Sequence, residues 1–197
     1  MLQQHTPLTT AEMASTFGEM LVFSDFMASE TDPAVRLAML AQKIEDSFST
    51  IFRQIAMNRF EQGMHTARRE EGELTSERLS AIWMETQRAM FGDSVELTDH
   101  YALWWSYIPH FLHTPGYVYA YAFGELLVLA LFARYRQEGD SFAPRYLDVL
   151  RAGGSDWPEK TLAPLGVDLT DPHFWQEGLG EIEKLVAQAE ELVKGAG

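Results

Sequence analysis

Apolar residues recur at three- and four-residue steps along most of the chain, with polar residues on the faces between them, which is the period of amphipathic helices. Met13, Phe17, Met20 and Leu21 mark the stripe of a first helix over roughly 10–28, with Thr9 or Thr10 as its N-cap. Asp32-Pro33 is a second start signal, a capping carboxylate followed by Pro in the first turn. Beyond it, Leu37, Leu40, Ile44, Phe48, Ile51, Phe52 and Ile55 predict one long helix reaching Arg69, closed by Glu70-Glu71-Gly72. Thr75 opens a third helix carrying Leu79, Ile82, Trp83 and Met90, and Gly92 ends it.

Residues 93–116 hold two Pro and a Gly in their second half and predict a loop, with a short helix around Tyr101–Tyr107. An apolar helix over about 117–138 follows, then short helices near 141–152 and 158–165. Asp171-Pro172 repeats the start signal for a last helix, roughly 172–194, with an acidic outer face. No run alternates as a strand does. The pattern predicts an all-α multi-helix bundle, one helical unit over 1–197.

The run Tyr117–Tyr135 is apolar almost throughout, close to the length of about 20 residues that a membrane span needs. Glu125 sits in its middle and Arg134 near its end, so it reads as a helix buried in protein. Met1-Leu2-Gln3-Gln4-His5 carries neither a basic region nor an apolar one, unlike a signal peptide. With 197 residues, 46% of them hydrophobic, the chain has material for a real core. A net charge of -14 argues against nucleic acid, whose phosphates need clustered Lys and Arg. The lack of Cys removes disulfides, thiolate metal sites and cysteine nucleophiles, and fits a reducing, cytoplasmic setting.

Two stretches can carry chemistry. Glu12, Ser15 and Glu19 share a helix face, where two carboxylates either hold a metal, a histidine or a cation, or meet solvent. Pro109–Tyr121, PHFLHTPGYVYAY, brings imidazoles and phenols close together in sequence. Histidine is a frequent acid/base group, and Tyr hydroxyls can donate to a developing negative charge. The alternative there is packing with a polar handle. No H-E-x-x-H, G-x-G-x-x-G, Walker loop or G-x-S-x-G occurs. Met64–Arg69 reads as a solvated helix end, and the Met residues as core filling.

Glu12-x-x-Ser15-x-x-x-Glu19 with Met20-Leu21, followed downstream by Pro109-His110-Phe111 and Tyr117-Val118-Tyr119-Ala120-Tyr121-Ala122-Phe123-Gly124, resembles the C-terminal part of the oligoendopeptidase F branch of the M3 zinc metallopeptidases. That resemblance implies an all-α zincin domain and cleavage of internal bonds in short peptides. It implies Glu12 as third zinc ligand and Glu19 as a carboxylate orienting a metal-binding histidine. His110 and Tyr121 would face the tetrahedral intermediate, with Tyr117 as a further hydroxyl and His113 as the rival of His110. The zinc histidines and the catalytic glutamate of such enzymes lie on an H-E-x-x-H helix that this sequence lacks. The expectation is therefore a C-terminal fragment, from a truncated chain, a broken gene or a split protein, inactive alone. Zinc would belong to the complete enzyme, with none held tightly by this chain. Partners would be short peptides and an N-terminal complementing segment, or further copies in self-association. The alternative is a non-catalytic helical module that binds a peptide or protein.

Overall fold

A computed structural model describes residues 5–195, and every regular element among them is helical. The expectation of no signal peptide rests largely on Met1–Gln4, which lie outside the described residues. Leu8–Ala11 (α1) and Met13–Ser29 (α2) replace the single first helix. Neither Thr9 nor Thr10 caps it: Pro7 stands at the N-cap and the Thr10 hydroxyl donates to the Pro7 carbonyl at 3.2 Å. Asp32 does cap Pro33–Ser47 (α3), its Oδ1 accepting from the Ala34 amide at 2.8 Å.

The long helix continues through a π segment, Phe48–Arg53, into Gln54–Glu71 (α4). A π turn inserts residues into the helical repeat and rotates the faces after it. The stripe is broken there: Ile51 is buried, whereas Phe48, Phe52 and Ile55 are exposed. Gly72, at φ 89°, ends α4 in a conformation that favours glycine. Ser76–Phe91 (α5) is capped by Thr75, whose hydroxyl accepts from the Arg78 amide at 3.2 Å. A 3₁₀ stretch, Asp99–Tyr107, occupies the expected short helix, and His110–His113 (α6) adds a turn the periodicity missed. Then come Tyr119–Glu138 (α7), Phe142–Ala152 (α8), Pro158–Leu162 (α9) and Pro172–Gly195 (α10).

The chain divides into two compact units, residues 1–48 with 123–197, and residues 49–122. In the first, Leu127–Leu131 of α7 is fully buried. Phe17 packs edge-on to Phe132 at 6.0 Å and stacks on Tyr146 at 4.4 Å. The α7 carboxylate of Glu125 is buried and satisfied from α3, by the Ser47 hydroxyl at 3.1 Å and the Lys43 ammonium at 3.4 Å. In the second unit, α4 and α5 enclose Phe60, Trp83, Ile108, Phe111 and Val118. Two indole N–H groups find acceptors there, Trp83 on the Tyr101 carbonyl and Trp105 on the Ser80 hydroxyl. No helix among the described residues is long and apolar enough to cross a membrane. Met13, Met20 and Met27 are buried, as core filling requires.

Candidate functional site

The unit of residues 49–122 contains the aromatic cluster. Phe111 and Val118 are buried in its core and fix the chain on both sides of the turn at 114–117. His110, at the start of α6, and Tyr121, in the first turns of α7, are thereby brought face to face. The Tyr121 hydroxyl and His110 Nε2 lie 3.3 Å apart and share a hydrogen bond. Tyr117 completes the group, its ring 5.9 Å from that of His110 and 5.1 Å from that of Tyr121. All three are half-buried, so they present polar edges while their rings pack. His113, the rival imidazole, ends α6 and is exposed. Tyr119 is also exposed, two positions from each of Tyr117 and Tyr121.

When Nε2 of His110 carries the proton, it donates to the Tyr121 oxygen, and the phenolic hydrogen can be directed at an oxyanion. One further phenol and one imidazole of the run, Tyr119 and His113, stand outside this cluster. Packing of Phe111 and Val118 selects among them, a choice that residue type alone leaves open.

Glu12 lies in the other unit, at the junction of α1 and α2 (φ −87°, ψ −4°). Its carbonyl accepts from the Thr16 amide at 3.1 Å and the Ser15 hydroxyl at 3.0 Å, so the backbone there is held by the helix it opens. Two residues far along the chain, Tyr146 and Gly124, lie close to this junction. Tyr146 of α8 donates to the Met13 carbonyl at 3.3 Å, and burial pushes its hydroxyl up to about 12, so it stays a neutral donor at physiological pH. Gly124 is buried on α7, where a Cβ would stand 3.6 Å from the Glu12 Cβ; a side chain larger than Ala there would push on Glu12. Tyr146 has no local sequence signal, because it acts across a long stretch of chain.

Glu12, Ser15 and Glu19 are all exposed. A catalytic zinc needs three protein ligands and an open position. Glu12 offers one carboxylate, and among the described residues no group of three His, Asp or Glu side chains is gathered to hold a metal. The chain's own described residues therefore do not fit a complete zinc site. His65, expected at a solvated helix end, is instead half-buried, its Nε2 3.7 Å from the buried carboxylate of Glu61.

Comparison with known proteins finds relatives over nearly the whole chain. The sequence profile of Peptidase family M3 matches residues 1–181. Oligopeptidase PepF of Bacillus subtilis is 34% identical over 188 residues, covering 92% of this chain and 28% of its own length. Group B oligopeptidase PepB of Streptococcus agalactiae is 32% identical over 185 residues, covering 90% of this chain and 31% of its own. The crystal structure of oligoendopeptidase-F from Enterococcus faecium superposes with a TM-score of 0.87 at 31% identity, over 96% of this chain and 36% of that one. The chain thus spans less than a third of the length of these two curated relatives.

Proposed function

The chain belongs to peptidase family M3, and from that premise we propose that it forms the C-terminal part of a zinc-dependent oligoendopeptidase acting on internal bonds of short peptides in the cytoplasm. The observation that carries the reading is the His110–Tyr121 hydrogen bond with Tyr117 packed against both rings. An imidazole and two phenols in that contact suit the stabilisation of negative charge on a peptide carbonyl oxygen. Glu12 is the proposed zinc ligand of this chain, and Glu19 the proposed carboxylate that orients a metal-binding histidine. Zinc supplies Lewis-acid chemistry in such enzymes. In this reading the Tyr121 hydroxyl donates to the substrate's carbonyl oxygen and His110 holds that hydroxyl in place.

Because the sequence contains no H-E-x-x-H, the reading assigns the remaining zinc ligands and the general base to a segment outside it. The test is to join the chain to, or coexpress it with, such a segment and follow a quenched fluorogenic peptide with product masses. Cleavage at internal bonds by the completed protein, and none by the chain alone, is expected. A folded, zinc-loaded completed protein without peptidase activity overturns the proposal.

Zinc titration of the chain alone is expected to show weak binding without defined stoichiometry, since one carboxylate makes no site. One tightly held zinc per chain after dialysis against a mild chelator contradicts this. A second reading, a non-catalytic module, draws on Leu21, Val22 and Phe26, which α2 leaves exposed. Such a surface suits a complementing segment or a second copy. Peptide binding by the chain with no turnover in any completed form favours that reading.

A further inference from the structure

Glu61 is a buried carboxylate that the proposed chemistry does not use. It follows Phe60 on α4 and is 3% exposed. Placing a carboxylate in apolar surroundings is costly unless it is paired or hydrogen-bonded. Its Oε1 accepts from the Gly116 amide at 2.6 Å, across 55 positions of sequence. His65 Nε2 stands farther off, 3.7 Å from the same oxygen, which leaves the Gly116 amide as the close partner.

Gly116 sits in the loop between α6 and α7, the segment that carries Tyr117. It has φ +75°, a conformation that glycine adopts without strain. The neighbouring amides bond locally, Thr114 to the His110 carbonyl at 3.0 Å and Tyr117 to the Thr114 carbonyl at 3.3 Å. Those local bonds shape the turn. The Glu61 bond ties it to the rigid core helix α4, one residue before Tyr117.

We propose that Glu61 is a positioning residue, which through the Gly116 amide sets the loop so that Tyr117 packs against His110 and Tyr121. If the carboxylate served stability alone, a packed apolar side chain of similar size would serve as well or better. A carboxylate aimed at a single amide fixes where the loop lies. The proposal rests on the peptidase reading for its consequence in turnover, but the placement itself is observable without substrate.

The experiment uses the chain as it is, by NMR. In the unaltered protein the Gly116 amide proton should be shifted downfield and exchange slowly; exchange at the rate of an open loop overturns the proposal. Glu61→Leu, which keeps bulk and removes the acceptor, should speed Gly116 exchange by at least about tenfold, the factor for about 1.4 kcal/mol. It should also move the His110 and Tyr117 ring resonances. Glu61→Gln, which keeps an acceptor oxygen, should restore both. Ring resonances unmoved in Glu61→Leu, or moved as far in Glu61→Gln, would make Glu61 a structural anchor only. In the enzyme completed with an H-E-x-x-H segment, Glu61→Leu should lower kcat roughly 10- to 100-fold at unchanged KM, with Glu61→Gln near the parent. If the NMR result holds while the folded, zinc-loaded completed protein cleaves no peptide, the peptidase reading fails and the positioning stands.

Discussion

Tyr121→Phe, made in the enzyme completed with an H-E-x-x-H segment, is expected to lower kcat by about two orders of magnitude while KM changes little. When water attacks a peptide carbonyl, negative charge grows on the oxygen, and a preorganised donor stabilises the transition state more than the ground state. Removing one such donor costs about 3 kcal/mol, a factor of about 100 in rate. The substitution keeps the ring that packs 5.1 Å from Tyr117 and removes the hydroxyl that meets His110 at 3.3 Å. Steady-state kinetics with zinc content checked in parallel decides it. A kcat within a few-fold of the parent at equal zinc makes Tyr121 a packing residue and passes the role to Tyr117.

Phe60→Ala should be the most damaging single truncation in the unit of residues 49–122, costing roughly 3–5 kcal/mol. Phe60 is fully buried, edge-on to Trp83 at 5.3 Å and against Phe111 at 5.0 Å. Its removal forfeits the transfer energy of the ring and leaves a cavity whose helical walls relax only in part. For a chain of this size the midpoint should fall by roughly 10 °C. Urea unfolding followed by tryptophan fluorescence suits the measurement, since Trp83 lies in the same cluster. A loss below about 1 kcal/mol would show that this core is not what holds the unit together.

The two experiments probe one construction from opposite sides. Phe111 is both a wall of the Phe60 core and the neighbour of His110, so the packing that stabilises the unit also aims the imidazole. Loosening that core should blunt the chemistry before the unit unfolds.

Local chemistry was enough to write most of the helices. Asp32 before Pro33, Thr75 before Ser76, and Gly72 and Gly92 after their helices act within a few residues of themselves, and each does in the structure what its type predicts. The apolar run through Glu125 was legible as a buried helix for the same reason, although its regular turns begin at Tyr119. The family's sequence signature, too, lay in short windows. What the windows could not hold were the pairings across the chain: Glu125 with Lys43 and Ser47, Tyr146 with the Met13 carbonyl, Glu61 with the Gly116 amide. A carboxylate on an amphipathic helix looks the same in sequence whether it meets water or a distant amide. Only the packing of α4 against its neighbours decides that Glu61 is buried, and burial then compels it to find a donor. The π segment at Phe48–Arg53 shows the same limit, because its residues fit a regular helical stripe in the sequence. The selection of His110 over His113 belongs here as well: both fit the chemistry, and the burial of Phe111 turns one of them to Tyr121 while the other stays exposed.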